Sequence, residues 1–320
     1  MGGSIYSVAE QSLHFLTRRH EGLPRGAVAS GAAWQVADLP PVKKLRKSIP
    51  QPALVALQDR MRGGSAASPD LAAAVAQWSH ELRDGRGFVL VGGFPVEAWS
   101  LAETKTFMAT LGQQFGILGQ QNPRGDVIGE VRNTGAALTN PAARNYITDR
   151  EFKPHCDAAD LLGLLCIRPA VQGGQSRLIS SVSLFNLLLA ERPDLARRLF
   201  EPVLLDLMDE QPEGFEPVAR LGPATFADGR LSTFYISDYF RSATRHPGIE
   251  RDPTEAELLD WYDRLAVDPR LELRFDLGPG DLLLVNNHQM LHARDAFADQ
   301  PGRERLLLRF LVSCPDGVIR

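Results

Sequence analysis

The chain has 320 residues, of which 44% are apolar and 23% charged, and its formal net charge is -4 at pH 7. That length and balance allow a full hydrophobic core without a disulfide or metal staple, and they give no overall positive field to gather nucleic acid or an anionic membrane. No apolar run reaches the ~18 residues of a membrane span, so neither a membrane nor a nucleic acid is expected as a partner.

The opening MGGSIYSVAEQSLHFLTRRHEG has no basic start followed by a long apolar stretch, so no secretory signal is expected. Tyr6 stands where a myristoylation motif wants Ser or Thr. His14 and His20 in this region, and His80 further on, read as helix-surface or helix-end residues. The stretch RMRGGSAASPD reads as a flexible loop that ends in a helix start at Ser68-Pro69-Asp70. LAAAVAQWSHELRDG then has helical spacing of apolar residues and stops at Gly85. GFVLVGGF reads as a buried strand, and LAETKTFMATLGQQFG as a second helix that ends at Gly112.

From there the character changes. DVIGEVRN, LLGLLCI, SRLISS, FEPVLLD, RLSTFYIS and LELRFDL are short apolar or β-branched runs separated by turn residues. SLFNLLLAERPDLARRLF and DPTEAELLDWYDRLAVD interrupt them with helical patterns. GPGDLLLVNN and RERLLLRFLVS read as the last strands. Helices first and then many strands predict an α+β protein built on an antiparallel sandwich or barrel. With no composition break, residues 1–79 are expected to be a helical and irregular extension packed on a core of residues 80–320.

The chemistry concentrates in KPHCDAAD. In a strand, side chains two apart share a face, so His155 and Asp157 can offer an imidazole and a carboxylate to one ion. Cys156 would point the other way. The three cysteines, Cys156, Cys166 and Cys314, form no CxxC pair, which argues against a thiolate zinc site or a disulfide framework and suits a reducing cytoplasm. Two ligands do not hold a metal, and NNHQMLHAR supplies two further histidines, His288 and His292. Two His and one Asp make the facial triad of non-haem iron(II) oxygenases, which leaves positions open for a cosubstrate and dioxygen. Arg305 and Arg309 follow, four apart on a strand-like segment among leucines. A guanidinium fork suits the far carboxylate of a dicarboxylate cosubstrate.

These residues together resemble the taurine dioxygenase-like (TauD/TfdA) family of iron(II)- and 2-oxoglutarate-dependent oxygenases, near its clavaminate synthase-like branch. The resemblance runs from GRGFVLVGGFP through FKPHCDAADLLGLLCIRPAVQGGQSRLISS to GDLLLVNNHQMLHARDAF and RERLLLRFLVS, over about residues 80–313. It implies a double-stranded β-helix (jelly-roll) core with N-terminal and inserted helices. It implies that His155, Asp157 and His292 hold Fe(II), with His288 a neighbour. It implies that Arg305 and Ser176 bind 2-oxoglutarate, and that Arg309 faces the substrate's anionic group or joins the network of Arg305. Cys156 departs from the Thr or Ser usual between the ligands, and an accessible thiol there would be open to oxidation. Asp157 is present, where halogenating relatives carry a small residue.

The implied reaction oxidises a C–H bond of a small molecule with dioxygen, releasing succinate and CO2. Hydroxylation of an amino acid or amino-acid-derived metabolite is the leading expectation, with desaturation or ring closure as alternatives. Candidate substrate residues come from NYITDREF (Tyr146, Glu151, Phe152) and STFYISDYFRSATR (Tyr235, Tyr239, Arg241). Glu151, four before His155, is expected to share its strand face and pair a substrate ammonium. A non-catalytic jelly-roll metal binder would lack Arg305 or a ligand. A zinc hydrolase would not need Arg305 and Ser176. A homo-oligomer is left open.

Overall fold

LLGLLCI, with Arg168, forms the strand Leu161–Arg168, which lies inside an eight-stranded sheet. The computed structural model describes residues 5–122, 124–135, 147–209, 211, 214–315 and 319. A four-stranded sheet faces the larger one. The strand Gly129–Val131 of the large sheet is followed by Phe152–His155 in the small one. Leu161–Arg168 returns to the large sheet and Ser176–Ser180 to the small one. After an insertion the small-sheet strand Glu272–Phe275 leads to Leu282–Asn286 in the large sheet. Met290–Arg294 and Leu306–Ser313 then complete the small and large sheets. Neighbours among these eight strands pair antiparallel, which is the winding of a double-stranded β-helix.

Period-two alternation explains how the large sheet can be apolar on both faces. In LLLRFLVS, Leu307 and Leu311 face the small sheet, while Leu308, Phe310 and Val312 face the helical side. Phe310 stands opposite Gly163, and its ring fills the space where a Cβ at Gly163 would sit. The outer face is covered by the helices Gln51–Met61, Pro69–Arg83 and Leu101–Gly112. Ser68 caps the second by accepting from the Leu71 N–H, and Ser100 and Glu103 form a capping box on the third.

The insertion between Ser176–Ser180 and Glu272–Phe275 carries two short hairpins and most of the remaining helices. The pattern SLFNLLLAERPDLARRLF, read as one helix, is two: Ser181–Glu191 and Pro193–Arg198. Proline has no N–H to continue the ladder and fits the first position of a new helix, so Pro193 divides them. At the N-terminus Ile5–Tyr6 pairs with Ile117–Gly119, and Arg46–Ser48 pairs with Phe88–Gly92, both parallel. Phe15 on the helix Val8–Leu16 is fully buried in the core between the sheets and the insertion. No helix among the described residues is long and apolar enough to cross a membrane.

Candidate metal centre

His155 is the last residue of Phe152–His155, and His292 is the middle residue of Met290–Arg294. The two are register partners across adjacent antiparallel strands, so both rings project from the same face into the space between the sheets. Asp157 lies just past the strand end, in the turn before Leu161. Its backbone N–H donates to Asn287 Oδ1 at 3.3 Å, which holds the turn against the loop preceding His292. One ligand atom from each of His155, Asp157 and His292 can be chosen so that all lie within 4.8 Å of one another.

The donors fit a metal. His155 Nδ1–H donates to the Lys153 carbonyl at 2.8 Å, which fixes the ring and turns Nε2 inward. That Nε2 is buried with no hydrogen-bond partner among the described residues, and the buried Asp157 Oδ2 has only the long 3.5 Å contact to His292 Nε2. Buried polar atoms without partners are costly, and a cation shared by them removes the cost. Burial, and then the facing His292, push the His155 imidazole down to about 3, so it is neutral, the form that binds metal. Burial works against the Asp157 carboxylate, but Arg309 and the two histidines outweigh it and hold the group well below the usual carboxylate range. The Phe152 ring stacks on His155 with centroids 3.7 Å apart and walls the site from that side.

Arg309 lies on the inward face of Leu306–Ser313, its Nη1 3.5 Å from Asp157 Oδ1 and its Nε donating to Gln121 Oε1 at 2.8 Å. Further along the same cavity lie Ser176, Arg305 and Arg294, with Leu162, Leu164, Leu283 and Leu307 as apolar walls. Arg294 and Arg305 both lie over the Phe297 ring, at 4.7 and 5.1 Å. Each is buried, and each has an Nη1 atom without a partner among the described residues. Burial, and then the neighbouring Arg305, push Arg294 down to about 9; burial pushes Arg305 down to about 10. Two buried guanidiniums side by side form a receptor for an anion. Arg294 Nη2 also donates to the carbonyls of Thr148 and Arg150, which ties down the segment leading to the metal strand.

Several expectations change. Glu151 lies outside the strand, which starts at Phe152, so the alternation argued for it does not reach that far. Its carboxylate is taken by Arg177 at 2.6 Å, and its side chain is 53% exposed. Tyr239, on the helix Ser237–Ser242, packs against the core and does not line the cavity. Tyr235 is buried and donates to Asp263 at 2.7 Å, and Arg241 pairs with Asp260 and Asp263. Tyr146 lies outside the described residues. Cys156 does point away from the metal side, but it is fully buried, with Sγ 3.6 Å from the Thr233 carbonyl oxygen and its N–H on Tyr235 O. Burial pushes its thiol up to about 12, so the condition for oxidation there, an accessible thiol, is not met.

His14 does lie at a helix end, in the last turn of Val8–Leu16, but it is turned inward: its Nε2 lies 2.8 Å from the buried carboxylate of Asp160. His288 binds the other oxygen of Asp160 at 2.7 Å and Ser232 Oγ at 2.6 Å, so both its ring nitrogens are engaged away from the metal. The sequence reading missed Arg294, Gln121 and Asn287. The signal for Arg294 was in plain view, as a charged residue on an apolar strand two places after His292. Gln121 and Asn287 carried no signal, since amides are common in loops.

Residues 52–311 match the profile of the Taurine catabolism dioxygenase TauD, TfdA family. The chain belongs to that family. Among its TauD, TfdA relatives, FR-33289 synthase from Streptomyces rubellomurinus (strain ATCC 31215) is 30% identical over 249 residues, spanning 76% of this chain and 74% of the relative. A uridine-5'-phosphate dioxygenase from Streptomyces sp is 27% identical over 250 residues, 72% of this chain and 87% of the relative. Among solved structures, asparagine oxygenase in complex with Fe(II), 2S,3S-3-hydroxyasparagine and succinate superposes with a TM-score of 0.62 at 14% identity, covering 84% of this chain and 94% of that one. The non-heme iron oxygenase OrfP in complex with Fe and alpha-ketoglutaric acid gives a TM-score of 0.60 at 14% identity, over 84% and 94% of the two chains. These structural likenesses establish the fold. The TauD, TfdA chain is a non-haem iron(II)- and 2-oxoglutarate-dependent dioxygenase acting on a small molecule.

Proposed function

We propose that this dioxygenase hydroxylates a C–H bond of a small anionic metabolite, with His155, Asp157 and His292 as the iron ligands. The observation that carries this reading is the polarity of one cavity: Arg309 stands beside the metal carboxylate, and Arg294 and Arg305 stand at the far end with Ser176. In this reading Arg305, Ser176 and Arg294 take the far carboxylate of 2-oxoglutarate, and Arg309 takes the anionic group of the substrate. Iron(II) with 2-oxoglutarate and dioxygen supplies the oxidising power, releasing succinate and CO2.

The chain's own residues bind, orient and exclude water. The leucine walls and Phe152 lower the local dielectric, so each guanidinium attracts a carboxylate more strongly than it would in water. Gln121 accepts from Arg309 Nε and thereby aims its fork. The anionic-substrate reading is in keeping with a relative named for uridine-5'-phosphate and with neighbours bound to hydroxylated amino acids. Three buried cysteines outside any disulfide among the described residues suit a cytoplasmic setting.

The test is anaerobic visible absorption with iron(II) and 2-oxoglutarate. A charge-transfer band that is absent in His155→Ala and weakened in Arg305→Gln supports the ligand and cosubstrate assignments. No band from folded, iron-loaded protein removes them. Succinate release in a panel of amino acids, phosphomonoesters and uncharged analogues tests the substrate class, and release with uncharged molecules alone would overturn it.

A further inference from the structure

Arg294 stands two residues after His292 on one strand, so the two share a face. Across the strand pair, His292 is opposite His155 and Arg294 is opposite Phe152. The step is two residues on one strand and three on the other, so Phe152–His155 carries a bulge. Pro154 lies inside it, where no N–H is needed for the ladder. In a regular strand, residues three apart face opposite ways. The bulge instead brings the Phe152 ring onto His155, and it leaves the Lys153 carbonyl to accept from His155 Nδ1. The pose of one candidate iron ligand therefore depends on how this bulge is held.

It is held through the residues just before it. Residues 147–150 make no strand and no α-helix, and their four carbonyls are taken one by one. Ile147 O accepts from the Thr134 N–H and Asp149 O from the Phe297 N–H, each at 2.9 Å. Thr148 O, at 2.9 Å, and Arg150 O both accept from one atom, Arg294 Nη2. A single guanidinium thus grips two of the four carbonyls that seat this segment. Glu151, next in line, is held by Arg177 at 2.6 Å.

The same guanidinium belongs to the cosubstrate end of the metal cavity. Arg294 and Arg305 line it together, are 6% and 4% exposed, and lie over one ring, Phe297. The acidic groups that act on them, Asp149 and Asp299, do so across space and not as ion pairs. Two buried like charges oppose one another, and an anion at their end of the cavity offsets that opposition. A ligand that favours the seated form of Arg294 also favours whatever Arg294 holds.

We propose that Arg294 is a positioning residue that links cosubstrate occupancy to the seating of residues 147–152 and, through the bulge, to the pose of His155. This rests on the reading that places the far carboxylate of 2-oxoglutarate at Arg305 and Arg294. Without that anion the segment lifts more often. With it, Arg294 stays seated, and the Phe152 wall and the His155 ring are fixed together.

The experiment is hydrogen exchange, read by mass spectrometry, on the full, iron(II)-loaded chain under nitrogen, with and without 2-oxoglutarate at a concentration that saturates the visible band. The reporters are the Thr134 and Phe297 amides, which are released when residues 147–150 lift. 2-Oxoglutarate should slow both about tenfold or more, a charge-assisted hydrogen bond being of that order, and leave the helix Pro69–Arg83 unchanged. In Arg294→Gln, again at a full band, both amides should exchange faster and no longer respond to 2-oxoglutarate. A merely structural tie would lose the protection and keep the response. A comparison that needs no variant uses 2-oxobutyrate, which keeps the chelating end and lacks the far carboxylate: at a full band it should not slow them. A full band without slowing, a kept response in Arg294→Gln, or equal slowing by 2-oxobutyrate would each overturn the proposal and leave the cosubstrate reading standing. No band from folded, iron-loaded protein removes both.

Discussion

His155 and His292 face one another in register across two antiparallel strands, their ring centroids 4.1 Å apart. Sheet register places them, so their spacing does not depend on a flexible loop. Asp157 is the less constrained member, because it lies past the strand end and is held by Asn287. Asn287→Ala should therefore weaken iron(II) about 10- to 100-fold, as loss of a group supporting a ligand does elsewhere. Iron titration followed by the anaerobic band measures it. Unchanged affinity in a folded variant would show that Asn287 does not position Asp157.

The far end of the cavity makes a separate prediction. Arg305→Gln and Arg294→Gln each remove a charge-assisted hydrogen bond of about 1.5–3 kcal/mol, so each should raise the KM for 2-oxoglutarate by about 10- to 150-fold. If Arg294 only ties down the carbonyls of Thr148 and Arg150, the KM for 2-oxoglutarate will stay level and the thermal midpoint alone will fall.

Arg309→Gln should keep the cosubstrate band yet lose most of the substrate-stimulated succinate release. Gln121→Leu should do the same more weakly, since it acts through the aim of Arg309. Raised substrate KM with the cosubstrate KM unchanged is the expected pattern, read from steady-state kinetics.

All three cysteines are buried, and none is in a disulfide among the described residues. Burial pushes the thiols of Cys156 and Cys166 up to about 12. A thiol reagent should therefore find almost nothing in the native protein and three groups per chain after denaturation. Rapid native reaction at Cys156 would show that its thiol is accessible after all.

Acid stability has an identifiable source away from the metal. Burial alone would raise the pKa of Asp206, but Arg245 and His246 outweigh it and hold the carboxyl below its ordinary value. A depressed carboxylate stabilises the fold above its unfolded pKa of about 4, and that stability is lost as pH falls below it. Asp206→Asn should cost about 2 kcal/mol at pH 7 and flatten the stability profile below pH ~4. Urea melts at several pH values would show it.

The candidate ligand pair was legible as a His-x-Asp spacing, but strand alternation is not what joins it: the strand ends at His155, and the turn held by Asn287 brings Asp157 within reach of the same ion. Arg305 and Arg309 were legible because arginine among leucines is anomalous. The same alternation failed at Glu151, where the strand had already ended. His14 was unreadable because its partner, Asp160, is 146 positions away and helical spacing records only its neighbours. Arg294 was overlooked because it followed His292 closely enough to pass as part of that motif. The helix break at Pro193 was available from sequence, but an apolar pattern running through it concealed it.

The contact between His14 and Asp160 carries a consequence for how this protein can be cut or recombined. Asp160 lies three residues beyond Asp157, and it also accepts from the Cys314 N–H near the other end of the chain. One carboxylate thus knots the two ends of the polypeptide to the turn that carries the candidate ligand Asp157. The stretch that the family profile matches runs from residue 52 to residue 311, and it contains neither His14 nor Cys314. The profile match and the fastening therefore have different borders in this chain. A chimaera spliced at the homology boundary would keep every candidate ligand and discard the fastening behind them.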